Sequence, residues 1–180
     1  MIWLILIISS LLIAILSLAL AVAIFNIVAL LIIRVPFVNT APQYLRLIMK
    51  EIEIKPGDIV YDLGCGSGDF LRLATAAGAA KGIGWEISPW AFLVAVLKNW
   101  NNSRISFRFE DFFKADLSKA NLVYVYLLPK MLEKVSIKLE RELKPSARVI
   151  TVGAALPGRK EQKKILLNEK HEYYAYYYKI

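Results

Sequence analysis

Residues 58–70 read DIVYDLGCGSGDF, and this stretch sets the expected architecture. Its first half, IVYDL (59–63), is a short apolar run typical of a buried strand. The run leads directly into glycines at every second position, Gly64, Gly66 and Gly68. Glycine lets the backbone turn sharply and lets a ligand approach the main chain closely. We therefore expect a strand, a ligand-contacting loop and then a helix.

Outward from this stretch, strand and helix patterns alternate along the chain. Helical patterns cover residues 41–50, 70–80, 88–101 and 129–145. Strand patterns cover residues 81–87, 104–111, 121–128, 147–154 and 171–180, whereas the charged segment 160–170 is ambiguous. The continuously apolar run at 121–128 is expected to be central in the sheet. The alternation predicts an α/β fold, doubly wound, with a mostly parallel sheet covered by helices on both faces.

The first 33 residues contain no charged side chain. About 20 apolar residues span a bilayer, so this run is long enough to cross one. No Lys or Arg precedes it, unlike a cleaved signal peptide, and a retained transmembrane anchor is the favoured interpretation. A helix of this length would exceed one straight crossing. We expect one tilted helix, or a helix that leaves the lipid near Asn26.

The basic residues follow the apolar run. All 23 Lys and Arg residues lie at or after Arg34, and the net charge of +8 belongs to this part of the chain. The positive-inside rule then predicts a membrane protein with a single pass and a cytoplasmic C-terminal domain. A basic domain is also attracted to an anionic leaflet. Because the basic residues are dispersed, nucleic acid is not expected as a partner.

Cysteine and histidine are scarce. Cys65 is the one cysteine and His171 the one histidine, so the sequence offers no internal disulfide. A zinc site built from these residue types is excluded, and no metal is expected. We expect Cys65 to line the glycine loop with its backbone, and His171 to lie at the surface.

The glycine spacing separates two kinds of ligand. A dinucleotide fingerprint, G-x-G-x-x-G, requires a glycine at position 69, where this chain has Asp69. A carboxylate beside a helix N-terminus disfavours a pyrophosphate. The Gly-Lys-Ser/Thr ending of a Walker loop is also missing from the stretch. A ligand without phosphate therefore fits this loop better.

Acidic residues follow three successive strands. Asp62 can meet a cationic amino group, Glu86 can accept both hydroxyls of a ribose, and Asp111 can accept a hydrogen bond from an adenine amino group. Ile87 and Phe112 can cover the two faces of the base. Each acid alone is also consistent with an ordinary turn or strand end. Together they describe S-adenosylmethionine.

Four segments carry a resemblance to a known family. They are VYDLGCGSGDF (60–70), GIGWEISPW (82–90), FEDFFKADLSKANLVYVYLLPKM (109–131) and LERELKPSARVITV (139–152). They resemble class I S-adenosylmethionine-dependent methyltransferases. Two groups of protein lysine methyltransferases are most similar: small archaeal enzymes, and membrane-anchored mitochondrial enzymes acting on the adenine nucleotide translocator or the ATP synthase c subunit. The resemblance implies a seven-stranded Rossmann-like sheet.

The segment VPFVNT (35–40) belongs to the same resemblance, which implies that it helps to cover the cofactor. Thr40 and the loop residues Gly64, Cys65, Gly66 and Gly68 are then cofactor-binding positions. Asn39 stands where the family usually has proline. The chain after residue 158 matches no pattern of the family. The implied organisation is an anchor at 1–33, a covering segment with a helix at 34–50, and a methyltransferase domain at 51–180.

The resemblance also implies in-line methyl transfer from a sulfonium to a neutral lysine amine, a reaction that depends mainly on alignment. The acceptor is expected to enter near the loop after the fourth strand. Candidates for the acceptor channel are Phe37, Phe112, Tyr126 and Pro129, and no general base is predicted. We expect a lysine methyltransferase for a membrane-associated protein. The alternatives are a lipid or quinone methyltransferase at the membrane and a non-catalytic S-adenosylmethionine-binding module.

Overall fold

The computed structural model describes residues 2–33 and 39–180. Its helices are α1 (Ile2–Ile33), α2 (Pro42–Glu51), α3 (Asp69–Ala76), α4 (Pro89–Lys98) and α5 (Pro129–Glu142), with a short 3-10 helix at Phe112–Lys114. Its strands are β1 (Ile59–Leu63), β2 (Lys81–Glu86), β3 (Ile105–Phe109), β4 (Leu122–Val125), β5 (Arg148–Val152), β6 (Lys163–Asn168) and β7 (Tyr173–Lys179). Phe37 lies outside the described residues.

The seven strands form one sheet in the order β3-β2-β1-β4-β5-β7-β6. The pairs among β1 to β5 are parallel, and β7 runs antiparallel between β5 and β6. The prediction of a mostly parallel, doubly wound α/β sheet is therefore confirmed. The strand order reverses between β1 and β4, and ligands of such sheets bind at the carboxyl ends of the strands around this point.

Both faces of the sheet are covered by apolar side chains of helices. α5 packs Leu132, Val135 and Leu139 on one face, whereas α2 and α3 pack on the other face. Strand β4 is fully buried and alternates between these two clusters, with Val123 on the α5 side and Tyr124 on the other. This agrees with its predicted central position, because a strand between two helical layers needs apolar residues on both faces.

The ambiguous segment 160–170 contains a strand. Ile165 and Leu167 in β6 alternate with exposed neighbours and join the core, which is the period of a half-buried strand. A turn that includes the exposed His171 joins β6 to β7. The chain beyond residue 158, which matched no family pattern, thus completes the sheet.

A buried ion pair fixes the amino ends of the central strands. Arg148, at the start of β5, pairs with Asp58, just before β1, and both side chains are buried. The same guanidinium donates to the carbonyl of Glu53. These contacts lie at the amino ends of the strands, whereas the glycine loop lies at their carboxyl ends. The ion pair therefore stabilises the fold away from the site.

Helix α1 is long and apolar enough to span a bilayer over Ile2–Val28, the one such helix found in the described ranges. Its side chains there are almost all exposed, unlike those of a core helix. It meets the rest of the protein where Oγ of Ser88 lies 2.8 Å from Oδ1 of Asn26. Length and composition therefore fit the predicted anchor.

Candidate active site

The glycine loop joins β1 to α3 in a tight conformation. Gly64, Gly66 and Gly68 all have positive φ, at 81°, 54° and 75°. Side chains with a Cβ rarely adopt this region, which explains the alternate glycines. The backbone N–H groups of Gly64 and Cys65 both donate to the carbonyl of Trp85, at 3.0 and 2.9 Å. The loop is thus tied to the carboxyl end of β2.

The glycines have different neighbours. A Cβ on Gly68 would lie 2.6 Å from the ring of Phe107, so this glycine allows the loop to pack against β3. A Cβ on Gly64 would lie 3.3 Å from Leu127, at the end of β4. Gly64 and Gly66 line the cleft above the loop, whereas Gly68 does not. The cleft therefore forms over the first two glycines.

The cleft brings together predicted residues from three parts of the chain. Its predicted lining residues are Thr40, Asp62, Gly64, Cys65, Gly66 and Tyr126. The sequence interpretation missed four further lining residues, Leu45, Asp69, Phe70 and Tyr124, whereas Asn39 belongs to the segment 35–40 that was expected to cover the cofactor. Asn39 precedes α2, and Leu45 lies on that helix. The N-terminal part of the described domain therefore closes one side of the cleft.

Asp62, the second-last residue of β1, is a buried carboxylate with no ion-pair partner among residues 2–33 and 39–180. It is 3% exposed, and within residues 2–33 and 39–180 its side chain has no hydrogen-bond partner. Burial, followed by repulsion from Glu86 and Asp69, raises the pKa of Asp62 well above its ordinary value. A buried acid in this state gains stability from a cationic partner. Asp62 therefore fits a positively charged ligand in the cleft.

Glu86 holds the loop in place. Its Oε2 accepts a hydrogen bond from the N–H of Gly66 at 2.9 Å. Its Oε1 accepts from the N–H groups of Ile87 and Ser88, at 2.9 and 2.8 Å. The carboxylate is buried, and Oε2, which accepts one hydrogen bond, keeps a second lone pair, whereas Oε1 already accepts two. Glu86 can therefore orient the loop and still accept from a ligand hydroxyl.

Unlike Asp62, Asp69 has cationic side chains beside it that balance its negative charge. Its carboxylate forms a 2.7 Å ion pair with Lys98 and accepts a 2.6 Å hydrogen bond from the hydroxyl of Ser67. Burial acts to raise the pKa of Asp69, but these partners and Arg72 lower it below its ordinary value. Asp69 thus remains negative and joins α3 to α4.

Cys65 is buried behind the cleft. A Cβ added to Gly84 would lie 2.6 Å from its sulfur, so the thiol fits into the space that this glycine leaves on β2. Burial, with the negative charges of Asp62 and Glu86, raises the pKa of the Cys65 thiol well above its ordinary value. The thiol is therefore protonated and poorly nucleophilic, and the backbone role of Cys65 stays a prediction.

Tyr124 forms the floor of the cleft. Its hydroxyl lies 2.7 Å from that of Thr40, and its ring stacks on Phe70 with centroids 3.9 Å apart. Burial raises the pKa of Tyr124 well above its ordinary value, so the phenol stays protonated. This pair of hydroxyls connects the segment before α2 to the end of β4.

Three tyrosines, Tyr126, Tyr173 and Tyr44, form a cluster that extends outward from the cleft. We refer to them as the tyrosine wall. Tyr173, at the start of β7, packs against the end of β5, since a Cβ on Gly153 would lie 3.2 Å from its ring. Its ring centroid is 5.4 Å from that of Tyr44 in α2. Burial and the neighbouring Tyr126 hydroxyl raise the pKa of Tyr173. The Tyr-rich composition of residues 171–180 was the signal that could have indicated this cluster.

Besides Glu86 and Gly68, the structure places four other predicted residues outside the cleft lining. Asp111 caps the 3-10 helix, accepting from the N–H of Phe113 at 2.9 Å. Phe112 is buried in the core on the α5 side, whereas Ile87 is exposed after β2. Pro129 is exposed at the first position of α5. Their predicted contacts with cofactor or acceptor stay predictions.

No group of three or more His, Cys, Asp or Glu side chains in the described ranges is arranged to hold a metal ion. The site instead combines a loop, two of whose three left-handed glycines line the cleft, with a buried carboxylate and the side chains of tyrosines. Such a site suits a cationic ligand with a polar group near Glu86.

The chain is similar to known methyltransferases. The ANTKMT methyltransferase domain matches residues 62–163. A protein-lysine N-methyltransferase of Saccharolobus islandicus (strain REY15A) is 33% identical over 150 residues, which cover 79% of this chain and 93% of that relative. An adenine nucleotide translocase lysine N-methyltransferase of Mus musculus is 29% identical over 128 residues, 69% of this chain and 56% of that relative. The chain thus spans about half of the mouse relative.

A solved structure gives the same picture of the fold. The crystal structure of an RNA methyltransferase from Salinibacter ruber in complex with S-adenosyl-L-homocysteine superposes with a TM-score of 0.73 at 25% sequence identity. The superposition covers 79% of this chain and 94% of that one. The resemblance drawn from the sequence motifs is therefore confirmed.

Proposed function

The chain belongs to the ANTKMT methyltransferase domain family, and we propose that it methylates a lysine of a membrane-associated protein. The family is S-adenosylmethionine-dependent, as predicted. The observation that carries the proposal is the buried carboxylate of Asp62, which has no partner among residues 2–33 and 39–180, beside the glycine loop and Tyr126. It fits a cationic methyl donor in a cleft with an aromatic side.

The residues of the cleft fit the donor in separate roles. When bound, S-adenosylmethionine supplies an electrophilic methyl group on a positively charged sulfur. Asp62 would hold its ammonium group, since burial has raised the pKa of this carboxyl and a cation relieves that cost. The backbone of Gly64 and Gly66 leaves room for close approach. Glu86 and Asp111 remain the proposed acceptors for ribose and adenine, with Thr40, Cys65, Gly68, Ile87 and Phe112 as further proposed contacts.

The tyrosine wall fits the acceptor. A lysine must lose its proton before it can attack, and a partly buried aromatic surface lowers the pKa of an amine. Tyr126 lines the cleft and Tyr173 lies beside it, so their rings can flank the amine and stabilise the methylated cation. Because burial raises the pKa of Tyr124 and Tyr173, their hydroxyls stay protonated and position groups rather than remove protons.

The N-terminal helix directs the proposed choice of substrate. An anchor at α1 confines the domain to the bilayer surface, which raises its effective concentration toward membrane-bound acceptors. The distribution of Lys and Arg after residue 33 favours a domain on the cytoplasmic side. The name of the mouse relative, which refers to an adenine nucleotide translocase, supports a protein acceptor.

Radiolabelling tests the proposal directly. The purified full chain is incubated with methyl-labelled S-adenosylmethionine and membranes from its own host that lack the protein. We expect label in one or a few membrane-protein bands, recovered as methyl-lysine after acid hydrolysis. The Asp62→Asn variant serves as the inactive control.

A parallel organic extraction distinguishes the alternatives. Label that partitions with lipid or quinone would overturn the protein-lysine proposal and support a small-molecule methyltransferase at the membrane. Donor binding by calorimetry without any transfer to membranes would support a non-catalytic module.

A further inference from the structure

Helix α4 carries a continuous apolar stripe on its outer face. Trp90, Leu93 and Leu97 follow the i, i+3, i+7 spacing of one helical face, and Trp100 continues it just beyond the helix. Their exposed fractions are 54%, 46%, 62% and 82%. We refer to these four residues as the α4 stripe. Single exposed apolar residues are common, but a contiguous patch of large ones indicates an interaction surface.

The α4 stripe lies on a different face of the helix from the residues that pack against the protein. The inner face of α4 is formed by the small residues Ala91 and Ala95, which are completely buried. On the edge strand β3, the half-exposed Phe109 packs against Phe92 with ring centroids 5.4 Å apart and widens the patch. Trp90, Leu93 and Leu97 therefore point outward, where they lower the solubility of the protein unless something covers them.

The patch begins at the contact with the N-terminal helix. Ser88, the N-cap of α4, meets Asn26 of α1 through a 2.8 Å hydrogen bond. The other end of the Asn26 amide donates to the carbonyl of Val22. About 36 Å of helix separates Ile2 from Asn26 at 1.5 Å per residue, against a hydrocarbon core of about 30 Å. A helix that crosses the bilayer from its first turn places Asn26 at headgroup level.

The chemistry of the patch matches that level of the membrane. Tryptophan is enriched at the boundary between lipid and water, and two of the four stripe residues are tryptophans. In the segment 87–110, Lys98 is already paired with Asp69, and the exposed Arg104 and Arg108 remain against one acidic residue, Glu110. Such a segment is attracted to anionic lipid headgroups.

We propose that the α4 stripe is a second membrane contact, lying in the interface of a bilayer that contains anionic lipid. This inference rests on the proposed anchoring by α1. Because α4 directly follows Glu86 at the carboxyl end of β2, the contact places the mouth of the cleft next to the membrane surface. The domain is then held in one orientation by two contacts, rather than moving freely on a single tether.

Tryptophan fluorescence tests the two membrane contacts separately. The full chain is reconstituted into vesicles of phosphatidylcholine and phosphatidylglycerol, with or without dibrominated phosphatidylcholine, which quenches tryptophan on contact. Trp3 on α1 is exposed, whereas Trp85 is buried against Tyr61. The variant W3F retains the stripe tryptophans, W90F/W100F retains Trp3, and W3F/W90F/W100F retains Trp85 alone as the baseline. All three changes are at exposed positions, and melting temperatures check that folding is retained.

In brominated vesicles we expect W3F to lose at least about twice as much emission as the baseline variant, since interfacial tryptophans lie within reach of the bromines. We expect W90F/W100F to lose more than the baseline as well, through Trp3. If Trp3 is quenched while W3F matches the baseline, the stripe proposal is overturned and anchoring stands. If neither Trp3 nor the stripe tryptophans are quenched, both the anchoring by α1 and the stripe proposal are overturned. W3F at the baseline together with a dimer detected by cross-linking would show that a second copy of the chain covers the stripe. That result would also overturn the membrane contact.

Discussion

The N–H of Gly66 donates a 2.9 Å hydrogen bond to Oε2 of Glu86, a residue 20 positions further along the chain. The other oxygen of this carboxylate accepts from two successive N–H groups at the start of the next loop. One buried side chain therefore holds both the glycine loop of β1 and the turn after β2. The conformation of the cleft depends on this carboxylate before any ligand is bound.

Replacing Glu86 with glutamine tests this dependence. The amide supplies one acceptor oxygen and one NH₂ donor, so at least one buried backbone N–H faces another donor. We expect S-adenosylmethionine to bind at least about tenfold more weakly, because an unsatisfied buried donor costs about 1–3 kcal/mol. Isothermal titration calorimetry measures the change. Glu110→Gln, at an exposed position after β3, is the matched control and should bind normally. Equal affinities for the two variants would contradict the assigned role of Glu86.

The hydroxyl pair of Thr40 and Tyr124 is open to a double-mutant cycle. Thr40→Val and Tyr124→Phe each remove one hydroxyl with little change of shape. We expect a coupling of about 1 kcal/mol in the free energy of unfolding, the net value of a typical hydrogen bond. Urea unfolding of the two single variants and the double variant gives this coupling.

A second buried tyrosine provides the control for this cycle. The hydroxyl of Tyr178 accepts a hydrogen bond from the N–H of Leu156, a contact that does not involve Thr40. Combining Thr40→Val with Tyr178→Phe should give additive effects. Additivity in the Thr40–Tyr124 pair as well would show that the segment before α2 is not coupled to the cleft floor through this contact.

The sequence predicted the parts of the fold that depend on local patterns. The buried strand before Gly64, the Ser88–Pro89 helix start and the central position of residues 121–128 are all local signals, and the structure contains them. The segment 160–170 was not assigned, because its charged residues hide the short alternation of Ile165 and Leu167. Its pairing depends on β7 inserting antiparallel beside β5, which no local pattern encodes.

The site shows the same difference between residues that share a local motif and residues that only the folded chain brings together. Asp62, Gly64 and Gly66 were predicted as a group, because one continuous motif contains them and they line one cleft. Tyr173 was missed because its approach to Tyr126 depends on the sheet order. Phe112 follows the N-cap Asp111 of the 3-10 helix and joins the core on the α5 side, and its contact with the base stays a prediction. Contacts between distant segments were therefore the main limit.

Asp62→Asn should change how stability depends on pH. Burial raises the pKa of Asp62 above its ordinary value of 3.8, so the folded protein binds this proton more tightly than the unfolded chain does. The free energy of unfolding of the ligand-free wild type should therefore fall as pH rises from about 4 through the raised pKa. The variant lacks this loss, and we expect it to be more stable at neutral pH by about 1 kcal/mol or more. Urea unfolding between pH 4 and 8 measures both curves.

The same variant should bind S-adenosylmethionine more weakly, since the cationic ligand loses its buried counterion. Stability and affinity are thus expected to change in opposite directions, a result that general damage to the fold would not produce. Glu169→Gln, at an exposed position in the turn after β6, should leave both curves unchanged. Parallel pH curves for the wild type and Asp62→Asn would disprove the assignment.

Tyr126→Ala should impair the acceptor reaction. We expect kcat/KM for a lysine peptide to fall at least about tenfold, because the aromatic ring that would flank the amine is lost. Tyr126→Phe keeps the ring and should retain most of the activity. Tyr174→Ala is the control, since this tyrosine packs against Lys164 instead. If Tyr126→Ala and Tyr126→Phe were equally impaired, the hydroxyl rather than the ring would be the important group.

A charge in the α4 stripe should separate two kinds of substrate. Leu97 and Ile137 are matched, with exposed fractions of 62% and 61%, but Leu97 lies on α4 whereas Ile137 lies on α5. In vesicles, Leu97→Glu should reduce methylation of a membrane-embedded acceptor at least about fivefold, because a carboxylate is repelled by anionic headgroups and costly to bury. Turnover of a soluble lysine peptide should be unchanged, and Ile137→Glu should leave both reactions unchanged. Equal losses on both acceptors would assign Leu97 to the stability of the domain, and unchanged methylation of both would show that the α4 stripe does not orient the cleft.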